Sequence, residues 1–214
     1  MRGPRFKSLL EGVKRAECRV LADIGTDHAY VPITAIRRKL CKKAIACDIS
    51  PGPLGIAKKN VLEAGLTDLI ETRLGDGLDP LRVSEADTIV IAGMGGMAIA
   101  QILETGLAAA KGAKLILQPQ HDLEELRRRL GGMGLIISCE AVSREGGRFY
   151  VVIMAEAGAG NELSERECFV GLGSGKDWDE YLDFRAKKIQ SYIGSISDER
   201  DLEKAKQKLD WLLA

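Results

Sequence analysis

The feature that most constrains this chain is an alternation. After an opening amphipathic helix over residues 5–16, short apolar runs take turns with helical patterns along most of the sequence. Strands are expected at 19–23, 43–48, 70–74, 87–92, 114–118, 135–142 and 149–155, with helices at 30–40, 53–64, 97–110 and 123–130 between them. Strand–helix–strand alternation of this kind predicts an α/β doubly wound sheet, because each helix carries the chain back across the sheet to start a parallel strand. The last two strands are joined by Ser143-Arg144-Glu145-Gly146-Gly147, whose turn chemistry predicts an antiparallel hairpin at one edge.

The 214 residues, 45% hydrophobic and 29% charged, suit one ordinary domain with a small appendage. Ala157-Gly158-Ala159-Gly160-Asn161 reads as a flexible join, which divides the chain into residues 1–157 and 158–214. Beyond it, Trp178, Tyr181, Leu182, Arg185, Ile189, Tyr192, Ile193 and Ile196 recur at spacings of three and four, as do Leu202, Ala205, Leu209 and Leu212. Two helices over 177–196 and 198–212 are expected to pair as a hairpin, with that stripe as its core.

No apolar run approaches the roughly 20 residues of a membrane span, and no signal-like segment opens the chain, so a cytoplasmic setting is expected. Five cysteines without a Cys-x-x-Cys pair argue against both a zinc site and a disulfide framework, and Cys18, Cys47 and Cys139 read as core. Lys plus Arg balances Asp plus Glu at 31 each, so contact with nucleic acid requires a local basic face. Candidates are Arg2, Arg5 and Lys7; Arg37, Arg38 and Lys39; Arg127 to Arg129; and the lysines with Arg185 on the polar side of the C-terminal helices.

Ligands of open α/β sheets bind beyond the carboxyl ends of the strands. Here four successive ends are informative. The first is Asp23-Ile24-Gly25, where an acid that packing does not need precedes a glycine over which a ligand can approach. The second is Asp48-Ile49-Ser50, where an ionised carboxylate can accept both hydroxyls of a ribose. The third is Gly75-Asp76-Gly77, whose acid can accept from an adenine amino group, and the fourth is Ala92-Gly93-Met94-Gly95-Gly96. A nicotinamide-binding Gly-x-Gly-x-x-Gly is absent, since Thr26, Asp27 and His28 follow Gly25. Packing offers each site another account, with Asp23 or Asp48 as helix caps and Gly75-Asp76-Gly77 as a plain turn.

Three acids in this order resemble the class I S-adenosylmethionine-dependent methyltransferases. The wording of the motifs goes further: Asp23-Ile24-Gly25-Thr26-Asp27-His28-Ala29-Tyr30-Val31-Pro32, Gly52-Pro53-Leu54, Arg73-Leu74-Gly75-Asp76-Gly77, Ile91-Ala92-Gly93-Met94-Gly95-Gly96 and Leu117-Gln118-Pro119-Gln120 resemble the bacterial tRNA adenine(22)-N1-methyltransferase family over roughly residues 5–156. The chain departs from the family in carrying Gln120 where many members have Asn.

The resemblance implies a Rossmann-like seven-stranded sheet with a C-terminal coiled-coil-like domain, S-adenosyl-L-methionine as cofactor and a tRNA substrate; a monomer without metal is expected beside it. It places Asp23, Gly25, Asp48, Ile49, Gly75, Asp76, Gly77, Ala92, Gly93, Met94 and Gly95 at the cofactor, and Asp27, His28 and Tyr30 at the target base. N1 of adenine has an in-plane lone pair, so positioning and desolvation carry the transfer without a strong base. A carboxylate or imidazole from Asp27 and His28 then stabilises the positive charge left on the base or takes a proton from its amine, while Tyr30 stacks on it. His28 as a helix-start residue and Tyr30 as a packed one are the plainer accounts. Methylation of a small molecule or protein, or RNA binding without catalysis, are the competing functions.

Overall fold

The computed structural model describes residues 3–160 and 162–214; Arg2 of the N-terminal basic group and Asn161 of the expected join lie outside the described residues. Helix α1 (Pro4–Arg15) starts at a proline, whose missing N–H is no loss in a first turn, and buries Leu9, Leu10 and Val13. Then follow β1 (Val20–Ile24), α2 (Tyr30–Arg37), β2 (Lys43–Asp48), α3 (Pro51–Glu63), β3 (Ile70–Leu74), β4 (Thr88–Met94), α4 (Gly96–Gly106), β5 (Lys114–Pro119) and α5 (Leu123–Gly132). The hairpin strands β6 (Leu135–Glu145) and β7 (Arg148–Ala157) come next, and α6 (Glu165–Val170), α7 (Lys176–Ile193) and α8 (Glu199–Leu213) complete the chain.

The seven strands form one sheet in the order β3-β2-β1-β4-β5-β7-β6. β3, β2, β1, β4 and β5 are parallel neighbours, and β7 runs antiparallel to both β5 and β6. The chain leaves β1 towards β2 on one side and returns at β4 on the other, so the topological switch, where an open sheet leaves a crevice, lies between β1 and β4.

Strand residues alternate between two cores, as the pleat requires. Val90, Ile116 and Val152 face α1, α2 and α3. Ile89, Ile91, Leu115, Leu117, Val151 and Ile153 face α4 and α5, and this second core also takes in Trp178 and Tyr181 from α7. A third cluster, with Phe169, Ala186, Ile189, Ala205 and Leu212, joins α6, α7 and α8.

Several expectations need correction. α2 stops at Arg37 rather than at residue 40, because Lys39 turns left-handed at φ 57°. α6 was not expected, although Ser164 and Glu167 form a reciprocal capping box whose Ser-x-x-Glu spacing is visible in the sequence. Cys139 is only half-buried, with an Arg15 Nη1 at 3.5 Å from its sulfur, whereas Cys18 and Cys47 are buried as expected. Arg127 is wholly buried and ion-paired to Glu140 at 2.8 Å, so it faces no phosphate.

Candidate active site

The turn after β1 is held in an unusual backbone path. Gly25, Asp27 and Ala29 all have left-handed φ, at 70°, 53° and 56°. Only the first is a glycine, and a Cβ there would run into the Met94 methyl group. The path is imposed by bonds to the neighbouring strand. Thr26 N donates to the Cys47 carbonyl at 2.9 Å, and Asp27 N donates to Asp48 Oδ2 at 3.1 Å. Ala29 rather than a side chain precedes the first turn of α2, so neither Asp27 nor His28 is a helix cap.

Asp23 is 5% exposed and receives the Thr26 hydroxyl at 2.6 Å. Burial pushes its carboxyl up to about 6; the Thr26 bond opposes the rise and the charge of Asp48 adds to it. Asp48, buried at the end of β2, accepts from Asp27 N through one oxygen and from Ser50 N through the other at 2.9 Å. It thereby ties the first two strand ends together, and an ionised carboxylate has acceptor capacity left over.

Ile49, beside it, is 60% exposed, an apolar side chain with no packing reason to face outward. At the end of β3, Asp76 is exposed between Gly75 and Gly77. Its loop is anchored by Arg73, which donates to the Pro80 carbonyl at 2.9 Å and pairs with Glu85 at 2.7 Å. The Arg73 guanidinium draws the Glu85 carboxyl down to about 2.

The β4 loop is fastened to the β5 loop. Gln120 Nε2 donates to the Gly93 carbonyl and Gln120 N to that of Met94, at 2.7 and 2.8 Å. The longer amide at position 120 therefore has a defined partner. Gly93 is left-handed at φ 85°, and a Cβ on Gly95 would overlap the ring of His121, which itself contacts Asp122 at 2.7 Å.

Beside these loops lies a cleft of about 510 Å³. Its walls come from the β1 turn (Asp23, Gly25, Thr26, Asp27), from Tyr30 and Val31, from Ala92, and from Arg5, Phe6 and Leu9 of α1 with Glu145 of the hairpin. The expected residues thus separate into two neighbouring groups. Asp23, Gly25, Asp27, Tyr30 and Ala92 meet at the cleft, while Asp48, Ile49, Gly75, Asp76 and Gly77 stand outside it at the ends of β2 and β3. His28 lines neither. Its Nδ1 lies 2.7 Å from Asp27 Oδ2, and its ring stacks on Tyr30 with centroids 5.1 Å apart. Sequence reasoning missed Arg5, Phe6 and Glu145 as cleft residues, because nothing local marks a helix or hairpin far along the chain as its wall.

Residues 3–153 match the family described as "Methyltransferase domain". The tRNA (adenine(22)-N(1))-methyltransferase of Bacillus subtilis (strain 168) is 38% identical over 207 residues, spanning 89% of this chain and 84% of that protein. The chain belongs to the tRNA (adenine(22)-N(1))-methyltransferase family. The crystal structure of the B. subtilis m1A22 tRNA methyltransferase TrmK is similar at a TM-score of 0.81 and 33% identity, covering 100% of this chain and 94% of that one. M. capricolum TrmK, in complex with the cofactor product S-adenosyl-homocysteine, is similar at a TM-score of 0.82 and 25% identity, covering 99% and 96%.

Part of the expected basic charge is paired internally. Arg128 pairs with Glu124, Glu125 and Glu165, and Arg129 with Glu104 and Glu125. Lys187, Lys204 and Lys208 pair with Asp183, Asp201 and Glu124, and Arg185 packs over Phe169 while donating to its carbonyl at 2.7 Å. Arg37, Arg38 and Lys39 at the end of α2 remain outward and exposed.

Proposed function

We propose that this protein transfers a methyl group from S-adenosylmethionine to N1 of adenine 22 in tRNA. It would work as a cytoplasmic monomer, with residues 1–157 as the catalytic unit and residues 158–214 as a helical appendage. The observation that carries this reading is the line of three acids, Asp23, Asp48 and Asp76, at three neighbouring parallel strand ends beside the cleft. The residues fit the cofactor. Gly25 keeps the turn clear of side chain, Asp48 has oxygen lone pairs left for ribose hydroxyls, and Asp76 with exposed Ile49 suits an adenine amino group and ring. Buried Asp23, short of donors, suits an ammonium group.

When bound, S-adenosylmethionine supplies a methyl group made electrophilic by the sulfonium. The protein's own part is positioning and charge. Asp27 lines the cleft, and its carboxylate meets the positive charge that appears on the base as N1 is alkylated. His28, against that carboxylate at 2.7 Å, fixes its direction from behind. Tyr30, 38% exposed and stacked on His28, is an aromatic wall of the cleft for a base taken out of its stack, since N1 lies on the pairing edge. Phe6 and Leu9 close the far wall against water.

The test uses two transcripts of one tRNA differing only in adenine or guanine at position 22, with methyl-labelled cofactor. Label is expected in the first alone, with a reverse-transcription stop at that nucleotide, because N1 of guanine carries a proton. Equal label in both overturns the target, and tRNA binding with no label in either makes the protein a noncatalytic binder.

A further inference from the structure

Two arginines at the end of the β6–β7 hairpin keep their charge unmatched. Arg144 and Arg148 flank the turn and are exposed, and among the described residues neither stands within ion-pair distance of a carboxylate. Arg144 lies over the Phe149 ring, its guanidinium carbon 5.4 Å from the ring centre. Glu145, opposite Arg148 in the ladder, instead accepts the backbone N–H of Arg5 at 3.0 Å.

Beside Arg144, four aromatic rings form a file from the core to the surface. Trp178 meets Tyr181 at 5.4 Å between ring centres, Tyr181 meets Phe149 at 5.6 Å, and Phe149 meets Phe184 at 5.2 Å. The first two rings are buried and Phe149 is half-buried, but Phe184, on α7, is 45% exposed. A ring braced in this way loses little freedom when something stacks on it. On α7 itself, exposed Glu180 and Lys188 stand one turn before and one turn after Phe184 and offset each other, so the hairpin sets the sign of the charge.

The occupant follows from where this face lies. β7 is antiparallel to both β5 and β6, so β6 runs in the direction of β5, and the hairpin turn emerges at the end of the sheet where β4 and β5 finish. Glu145, next to Arg144, lines the cleft itself. An aromatic face beside unmatched guanidinium groups is the complement of an unpaired nucleotide, whose base stacks on the ring while its phosphates take the positive charge. We infer that Phe184, with Arg144 and Arg148, binds an unpaired nucleotide of the tRNA close to the one that enters the cleft. The inference rests on tRNA as the substrate.

Filter binding of the full chain to an unmodified tRNA transcript tests it, with methyl transfer to the same transcript measured alongside. Phe184→Leu keeps an apolar side chain against Phe149 but removes the ring face, and is expected to weaken tRNA binding about tenfold, within the range of one stacked base. Phe184→Tyr restores the face and is expected to stay within about twofold of the wild type. Affinity for S-adenosylmethionine by calorimetry stays within about twofold in both, which separates a lost stacking face from a displaced hairpin.

Arg144→Gln and Arg148→Gln probe the charge without removing a ring, and keep the inference falsifiable should Phe184→Leu fail to fold. Each is expected to lower the slope of log affinity against log salt by about 0.7, the value for one phosphate of a single strand. Wild-type affinity in Phe184→Leu, or wild-type salt slopes in both arginine variants, overturns the inference, as does equal weakening by Leu and Tyr. Binding of tRNA by the wild type without methyl transfer overturns the proposed reaction but leaves this surface, whereas no binding of tRNA overturns both.

Discussion

Asp23 shows what a single residue at a strand end reveals. Packing in a parallel sheet calls for an apolar side chain there, and the buried carboxyl has risen to about 6 from its ordinary 3.8 because desolvation outweighs the Thr26 bond. A carboxyl raised on folding favours the protonated native state. Its stabilising contribution is therefore fully present below about pH 4 and is lost as pH rises through about 6. In the cofactor-free protein that loss is on the order of 3 kcal/mol, and Asp23→Asn should remove it; denaturant melts of both chains at several pH values give the difference directly. If Asp23 holds the cofactor's ammonium, wild-type affinity weakens up to about tenfold per pH unit below 6 and the variant's does not. Parallel pH slopes for the two chains would remove Asp23 from both roles. Asp23, Gly25, Asp48 and Asp76 were legible because an acid or a glycine at a strand end has no packing motive. His28 was legible as an ionisable group, but its turn away from the cleft onto Tyr30 depends on the left-handed residues on either side of it.

At the level of elements, the junction between α5, β6 and the C-terminal helices rests on one buried pair. Arg127 and Glu140 lie 2.8 Å apart with both side chains fully buried. Arg127 Nη1 donates to the Cys168 carbonyl at 2.8 Å, and Glu140 Oε2 accepts Leu172 N, so α6 and the loop after it are bonded to both members. Gly171, at φ 92°, passes so close that a Cβ would strike both side chains and Trp178. Removing one partner strands the other charge. Arg127→Ala or Glu140→Ala is expected to cost about 3–5 kcal/mol in urea unfolding, and the apolar pair Arg127→Met with Glu140→Leu to recover most of it. A single-variant loss below about 1 kcal/mol would mean that water reaches the pair. The sequence placed Arg127 in a run of three arginines, which looks like a phosphate grip. Only the fold distinguishes the one facing inward from the two that solvent reaches.

For the whole molecule, the C-terminal helices are packed against the sheet and α5. Trp178 and Tyr181 of α7 complete the core beneath β6 and β7, and Lys208 of α8 reaches Glu124 of α5 at 2.9 Å. One cooperative unfolding transition is expected by calorimetry, with van't Hoff and calorimetric enthalpies in agreement; two separated transitions would make the C-terminal helices an independent domain. Ion pairs take up part of the charge that sequence alone offers to RNA, since Arg128, Arg129, Lys204 and Lys208 are matched by acids. What the sequence by itself determined was the alternation, the sheet with its edge hairpin, the acids at the strand ends and the family, because periodicity, turn chemistry and misplaced polar residues are local signals. What only tertiary structure decided was which side chains share a space. Arg5 meets Gln118 across 113 positions and Arg127 meets Glu140 inside the fold rather than a phosphate outside it, because a charge's partner is set by the path of the chain and not by its neighbours in sequence.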